Sequence, residues 1–263
     1  MRIVVCLGGN ALLRPGERRG GRLQDGNLER VATALAPLAH EHELAITHGN
    51  GPRSLAPAPP DVGCAEAQGV IGTLLVRALR DALPGRRIVS LLTHTLVRAD
   101  DPAFTRPAGR GRLPVPDPEV VLEADTVREL LDLGTLVLCG GGGGIPVVAA
   151  RSNGALRGVA AVDKDLTAAR LAQDVKADFL LILTDVPNVH DGHGTPHQRP
   201  VLDATPSELR AAHYAEDSMG PKAEAAARFV EHGGLAAIGA LDAAYDIVHG
   251  RSGTLVRPDL PVA

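Results

Sequence analysis

The chain has 263 residues, 44% hydrophobic and 22% charged, which is enough for a substantial core and ordinary for a water-soluble globular protein. A formal net charge of −4 gives no electrostatic basis for nucleic acid or an anionic membrane as a partner. With aromatics at 2% and no Trp, stacking platforms for bases are scarce, and any adenine pocket is expected to be mostly aliphatic. Cys6, Cys64 and Cys139 are odd in number and sit among apolar or small residues, which predicts reduced, buried thiols in a cytoplasmic protein. No activating base is evident beside any of them, so no catalytic cysteine is expected. The apolar run 3–7 is far too short for a signal or membrane segment, and no other apolar run is expected to approach that length.

In chain order, residues 2–7 read as a buried strand, β-branched and continuous, ending in Gly8-Gly9-Asn10. Glycines at the carboxyl end of such a strand let backbone approach a ligand, and ligands bind at that edge of open α/β sheets. A polar Arg/Gly loop over 14–26 follows. Leu28, Val31, Leu35 and Leu38 then form a helical stripe with Asp25 or Asn27 as its cap. Residues 44–47 are a second strand leading into His48-Gly49-Asn50-Gly51-Pro52. Two strand-to-Gly/Asn turns of this kind can build one anion site from backbone N–H groups. Pro57, Pro59 and Pro60 interrupt the chain before a helix over 64–83, and 87–93 is a third strand.

Residues 100–118, rich in Pro, Gly and Arg, read as an exposed excursion. A helix over 125–133 stops at Gly134, and the strand 135–139 runs into five glycines, 140–144. That run matches neither the dinucleotide fingerprint nor the Walker phosphate loop. Residues 147–150 and 156–159 flank Asn153-Gly154 as a hairpin. Asp163-Lys164-Asp165 opens a helix to about Asp174, with either aspartate suited to capping. A strand over 179–183 ends in Thr184-Asp185. Thr205-Pro206-Ser207-Glu208 has the capping-box pattern. Residues 235–238 read as a strand, 241–248 as a helix and 254–256 as a final edge strand. His190, His193 and His197 share a Gly/Pro loop and read as solvated, not as metal ligands. Strands alternating with helices imply an open, mainly parallel sheet covered on both faces.

Of 27 basic residues only Lys164, Lys176 and Lys222 are lysine. In a chain that uses arginine almost everywhere, a lysine marks a place that calls for a compact point charge. Lys222 follows Asp217-Ser218-Met219-Gly220-Pro221 at a helix start, with Pro221 suited to the first helical position. Free N–H groups beside a lysine make a phosphate-binding corner.

Taken together, these stretches resemble carbamate kinases of the amino acid kinase family. The resemblance rests on residues 4–13, Thr47-His48-Gly49-Asn50-Gly51-Pro52, residues 67–72, residues 141–147, Asp163-Lys164-Asp165, residues 181–186 and Ser218-Met219-Gly220-Pro221-Lys222, in the family's order. It implies an α/β fold, a three-layer αβα sandwich around a central, mainly parallel sheet. It also implies one domain over 1–263, with an acceptor-side lobe over about 1–150, an ATP-side lobe over about 151–263, and a homodimer. The implied reaction is reversible phosphoryl transfer between ATP and carbamate, giving ADP and carbamoyl phosphate, with Mg²⁺ entering on the nucleotide and no protein metal site.

By the same resemblance Lys222, Lys164 and Asp165 are catalytic. Gly8, Gly9, Asn10, Gly49, Asn50, Gly51, Gly142 and Gly143 hold the acceptor and the transferring phosphoryl group. Thr184, Asp185, Val186, Val189, Met219 and Gly220 bind the nucleotide. Two departures fall on the acceptor side. Asp101-Pro102-Ala103-Phe104 is followed almost at once by Gly109-Arg110-Gly111, where the family carries a protruding clamp with its own lysine; Arg106, Arg110 and Arg112 are the nearest replacements. Gly51-Pro52 is followed by Arg53-Ser54 and a shortened proline-rich segment. Besides a minimal carbamate kinase, two readings stay open: a kinase of another small carboxylate, carbamate or phosphonate, and a nucleotide-binding sensor or partner subunit without catalysis.

Overall fold

The computed structural model describes residues 1–9, 25–50, 59–105, 114–150, 154–159, 161–215 and 218–259. The chain runs β1 (Arg2–Leu7), α1 (Asp25–Glu41), β2 (Glu43–His48), α2 (Pro60–Ala82), β3 (Ile88–Ser90), β4 (His94–Val97), β5 (Pro118–Val121), α3 (Ala124–Asp132), β6 (Leu136–Leu138) and β7 (Ile145–Ala149). It continues through β8 (Leu156–Gly158), α4 (Lys164–Asp174), β9 (Phe179–Thr184), β10 (Val189–Asp191), β11 (Arg199–Val201), β12 (Asp203–Ala204), α5 (Pro206–Ala211), α6 (Met219–Glu231), β13 (Leu235–Ala240), α7 (Ala244–Val248) and β14 (Thr254–Val256).

Among the described residues the main sheet has eight strands in the order β12-β14-β13-β9-β1-β2-β6-β3. All its pairings are parallel except β13 with β14. Side-chain alternation explains why its central strands are apolar throughout. On β1, Ile3, Val5 and Leu7 face a core shared with Leu28, Val31 and Leu35 of α1, Leu75 and Leu79 of α2, and Ile247 of α7. Val4 and Cys6 face the opposite core, built with Val127 and Leu131 of α3, Ala168 and Leu171 of α4, and Ala226 and Phe229 of α6. These are the three layers that the resemblance implies.

The expected third strand is split. Leu91 N–H still bonds to Leu138 O at 2.8 Å, extending the pairing of β3 with β6. The chain then turns away, because Thr93 gives its N–H to Gln68 Oε1 and takes Gln68 Nε2 on its carbonyl. A side chain has replaced the neighbouring strand, and β4 joins a second sheet, β5-β4-β7-β8. Its β7–β8 pair is the expected antiparallel hairpin. β5 is masked in sequence by Pro118, which an edge strand accommodates.

Other boundaries also shift. Asp25 and Asn27 lie inside α1, so neither caps it. α2 starts at Pro60, with Pro59 as N-cap, because proline's missing N–H is harmless at a first helical position. By length and composition, Asp61–Ala82 within α2 is also long and apolar enough to cross a membrane, contrary to the expectation drawn from apolar runs. It packs Ile71, Leu75 and Leu79 into the core. β14 is not an edge strand, because β12 lies outside it. The capping box of α5 is present: Glu208 N–H donates to Thr205 Oγ1, and Thr205 N–H donates to Glu208 Oε2. Thr205→Ala is expected to cost about 1 kcal/mol, read as a lower urea midpoint with an unchanged slope.

Candidate functional site

β9, β1, β2 and β6 are adjacent and parallel, so their carboxyl ends lie along one edge. They deliver, in that order, Thr184-Asp185, Gly8-Gly9, Gly49-Asn50 and the glycine run 140–144. Chain connection reverses between β1 and its two neighbours, the position where open α/β sheets form a ligand crevice. Gly8 N–H is held by Leu183 O at 2.8 Å and Gly49 N–H by Leu7 O at 3.1 Å, so each turn is tied to the strand beside it. A Cβ on Gly49 would lie 3.3 Å from the Gly9 backbone and 3.7 Å from Lys164 Cδ. The two turns and a lysine therefore meet at a tight approach around Gly49.

Behind these turns lies Asp165, 1% exposed. Its Oδ2 accepts from Lys164 Nζ at 2.7 Å and from Lys222 Nζ at 3.0 Å; its Oδ1 accepts from the Cys6 thiol at 3.2 Å. Three elements converge here: β1 through the parity that turns Cys6 toward α4 and α6, α4 through its first turn, and α6 through its first turn. Burial pushes the Asp165 carboxyl up, but Lys164 and Lys222 outweigh it and hold the group below its usual range. Burial pulls the Lys164 ammonium down, and Asp165 more than reverses it. Burial, reinforced by Asp165, pushes the Cys6 thiol up to about 12, so it remains a donor at physiological pH.

Asp163 has a different task. It caps α4, its Oδ1 accepting from the N–H groups of Asp165 at 2.8 Å and Leu166 at 3.0 Å. That carboxylate occupies the N–H groups an anion would otherwise use, leaving the lysines as the positive charges of this corner. At α6 the corner also differs from expectation. Ser218 is the N-cap, Pro221 is the third helical residue, and Gly220 N–H is not free but bonds to Ala215 O at 2.9 Å. Lys222 is nevertheless buried, at 9% exposure, and points inward to Asp165.

The glycine run folds as a 3-10 turn, Gly141–Gly143, with left-handed backbone at 140 and 142–144. Asn50 leans on it: a Cβ on Gly142 would fall 1.6 Å from Asn50 Oδ1, a buried oxygen without a hydrogen-bond partner among the described residues. His48 is buried beside them. Its Nδ1 lies 2.8 Å from Gly49 O, and a carbonyl only accepts, so Nδ1 carries the proton. Burial lowers the His48 pKa, which favours the neutral ring.

With this geometry, comparison with known proteins is specific. The amino acid kinase family matches residues 1–238. The chain belongs to the amino acid kinase family. It is 36% identical over 296 residues to carbamate kinase from Escherichia coli O6:H1, covering 97% of this chain and 98% of the relative. It is 36% identical over 313 residues to carbamate kinase from Pyrococcus horikoshii, covering 98% and 99%. The solved structure of carbamate kinase from Giardia lamblia bound to AMP-PNP superposes with a TM-score of 0.89 at 33% identity, covering 98% of both chains. The chain thus falls with the carbamate kinases of this family, which are phosphotransferases by class. Alignments of 296 and 313 residues against a chain of 263 mean that these relatives carry residues with no counterpart here.

Of the expected family residues, the structure brings Lys164, Lys222 and Asp165 into direct contact, and Gly8, Gly9, Gly49, Asn50, Gly142 and Gly143 to the same sheet edge. Asn10, Gly51, Arg106, Arg110 and Arg112 lie outside the described residues. Thr184 is buried at the end of β9, its hydroxyl donating to Asp185 Oδ1 at 3.1 Å, while Asp185 itself is exposed. Val186, Met219 and Gly220 are partly exposed nearby in sequence. Val189 is fully buried, and its N–H is bound to Thr254 Oγ1, so its side chain presents no surface to a ligand. His193 and His197 are exposed, as read from sequence. Sequence reasoning missed Cys6 as a partner of Asp165; the signal was its position, two residues before Gly8 on the β1 face that meets α4 and α6.

Stability should depend on pH through these groups in opposite senses. Asp165, with its lowered pKa, stabilises the fold above the ordinary carboxylate range, and that contribution is lost as pH falls through its folded value. Asp163, raised by burial and by Asp165, contributes with the opposite sign. Urea midpoints of Asp165→Asn are expected well below wild type at pH 7, with the gap narrowing as pH drops below about 4. A gap independent of pH would contradict the ion-pair assignment.

Proposed function

We propose that this chain catalyses reversible phosphoryl transfer between ATP and carbamate, giving ADP and carbamoyl phosphate. The observation that carries the reading is the Lys164–Asp165–Lys222 cluster behind two glycine turns, Asp165 and Lys222 buried and Lys164 half-buried, in a chain that matches carbamate kinases along nearly its whole length. In the forward direction a carbamate oxygen attacks the γ-phosphorus, the bond to the β,γ-bridging oxygen breaks, and ADP leaves with that electron pair. The attacking oxygen is already anionic, so no general base is needed. Catalysis reduces to alignment and to neutralising charge on the three transferring oxygens.

Lys222 and Lys164 supply that neutralisation, and Asp165 fixes both ammonium groups before substrate arrives, so that little reorganisation accompanies reaction. Gly8, Gly9, Gly49, Asn50, Gly142 and Gly143, with Asn10 and Gly51, form the acceptor side in the half of the chain over about 1–150. The half over about 151–263 takes the nucleotide, with Thr184, Asp185 and Val186 after β9 and Met219 and Gly220 at α6; Val189 supports this edge from within the core. Mg²⁺ enters on the nucleotide and neutralises part of its phosphate charge. Both Asp165 oxygens are already engaged by two lysines and a thiol, which fits a metal held by phosphate oxygens. A cytoplasmic homodimer completes the proposal. Val62 and Val70, exposed on the outer face of α2, suit such a contact.

Incubation with ADP, Mg²⁺ and carbamoyl phosphate is expected to form ATP above the uncatalysed background, and Lys222→Ala is expected to lower turnover by about 100-fold or more. No ATP from the wild type would overturn the acceptor assignment, while full turnover by Lys222→Ala would overturn the role of the lysine.

A further inference from the structure

Five consecutive glycines have an unusually large conformational freedom to lose, so residues 140–144 hold one shape only if something outside the run fixes it. Within the run the bonds are short-range: Gly143 N–H to Gly140 O and Gly144 N–H to Gly141 O, both 3.0 Å. Among the described residues the external hydrogen bonds come from two residues at the start of β4. Gly140 N–H donates to Thr93 Oγ1 at 2.8 Å, Ile145 N–H donates to Thr93 O at 2.8 Å, and Thr95 Oγ1 donates to Gly143 O at 2.6 Å. Thr93 therefore holds both ends of the run.

Thr93 is itself held by one side chain. Gln68 Oε1 accepts from Thr93 N–H at 3.0 Å and from Thr93 Oγ1 at 3.1 Å, while Gln68 Nε2 donates to Thr93 O at 3.1 Å. Because a backbone N–H only donates and a carbonyl only accepts, these bonds fix which way the amide faces. With its proton committed to Gln68, the Thr93 hydroxyl presents a lone pair to Gly140. Gln68 and Thr93 are both buried, at 1% and 0% exposure, and a Cβ on Gly141 would meet Gln68 Cγ at 2.9 Å and the His48 ring at 2.4 Å. The chain of contacts runs from α2 through Thr93 to the turn on which Asn50 rests.

We infer that Gln68 and Thr93 are positioning residues for the acceptor pocket, fixing the glycine run against Asn50 and thereby setting affinity for the carbamoyl substrate. The inference rests on the acceptor-side assignment of Gly142 and Gly143 made above. Among the described residues neither one hydrogen-bonds to Lys164, Asp165 or Lys222, so the nucleotide side should be spared.

The test uses Thr93→Val, which removes the hydroxyl at constant shape, Thr93→Ser, which keeps it, and Gln68→Glu, which keeps the acceptor for Thr93 N–H but loses the donor to Thr93 O. In the full-length protein, Thr93→Val and Gln68→Glu are expected to raise KM for carbamoyl phosphate about 10-fold or more, with KM for ADP within about 2-fold, and Thr93→Ser to restore wild-type values. Equal rises in both KM values, or no rise in either, would overturn the inference. Amide hydrogen exchange at Gly140, measured without substrate, is expected to accelerate in Thr93→Val and not in Thr93→Ser; unchanged exchange in Thr93→Val would also overturn it. Should the wild type form no ATP from carbamoyl phosphate, the function proposed above fails, and the exchange measurement alone decides whether Thr93 anchors the run. If Thr93→Val does not fold, Gln68→Glu is judged on both readouts against wild type by the same criteria.

Discussion

A single buried carboxylate organises this molecule's chemistry. Asp165 gives one oxygen to two ammonium groups and the other to a thiol, at a point where strand β1 meets helices α4 and α6. Burying three ionic groups is costly unless their charges and hydrogen-bonding capacity are matched. Here one carboxylate takes hydrogen bonds from both ammonium groups, while Asp163, whose charge also acts on Lys164, is turned to the N–H groups of its own helix. The same arrangement explains how both lysines sit at low exposure: Asp165 secures both.

The sheet makes this cluster useful. Had the four turns followed strands scattered through the sheet, their backbones would lie too far apart to act on one substrate. They follow β9, β1, β2 and β6, which are neighbours, and the parallel register brings Leu7 level with His48 on one side and Leu183 on the other. Gly49 packs against Gly9, Asn50 against Gly142, and Gly49 against the Lys164 stem. The lysines come from the helical layer beneath that edge, so their charge and the backbone of the turns reach it from different layers of the sandwich.

The legible and illegible parts of this design divide along a physical line. Buried parallel strands are continuous in sequence, so β1, β2, β6, β9 and β13 were readable from apolar runs, and the glycine turns from composition. Lys164 and Lys222 stood out because lysine is rare here, and the α5 cap because its four residues are contiguous. What failed was what depends on distant partners. The turn from β3 into β4 is caused by Gln68, more than twenty residues earlier, and no local pattern at 87–93 announces it. Pro60 and Pro221 were misplaced by a rule that treats proline as a boundary, whereas a helix's first turn has N–H groups it does not need. The role of Cys6 is invisible without knowing that α4 and α6 pack against its face. The acceptor segments at 51–58 and 106–113 remain as expectations of the resemblance.

Separation of these layers also bears on how the chain accommodates being shorter than the carbamate kinases it matches. The excursion after β4 is closed at its neck by Asp101, whose Oδ1 accepts from Ala103 N–H at 2.7 Å and whose Oδ2 accepts from Asp117 N–H at 3.1 Å. Asp117 in turn pairs with Arg228 of α6, which also bonds to Glu224. The two ends of the excursion are therefore fixed to each other and to the helix that carries Lys222, whatever lies between them. Loop-closure entropy grows only slowly with length, so a neck of this kind tolerates a long or a short insertion at similar cost. Among the described residues, the hydrogen bonds around Asp165 come from Lys164, Lys222 and Cys6 and not from the ends of the excursion. On the function proposed above, charge neutralisation rests on the Asp165 cluster and acceptor enclosure on other parts of the chain, so a change in the second need not alter the hydrogen bonds of the first.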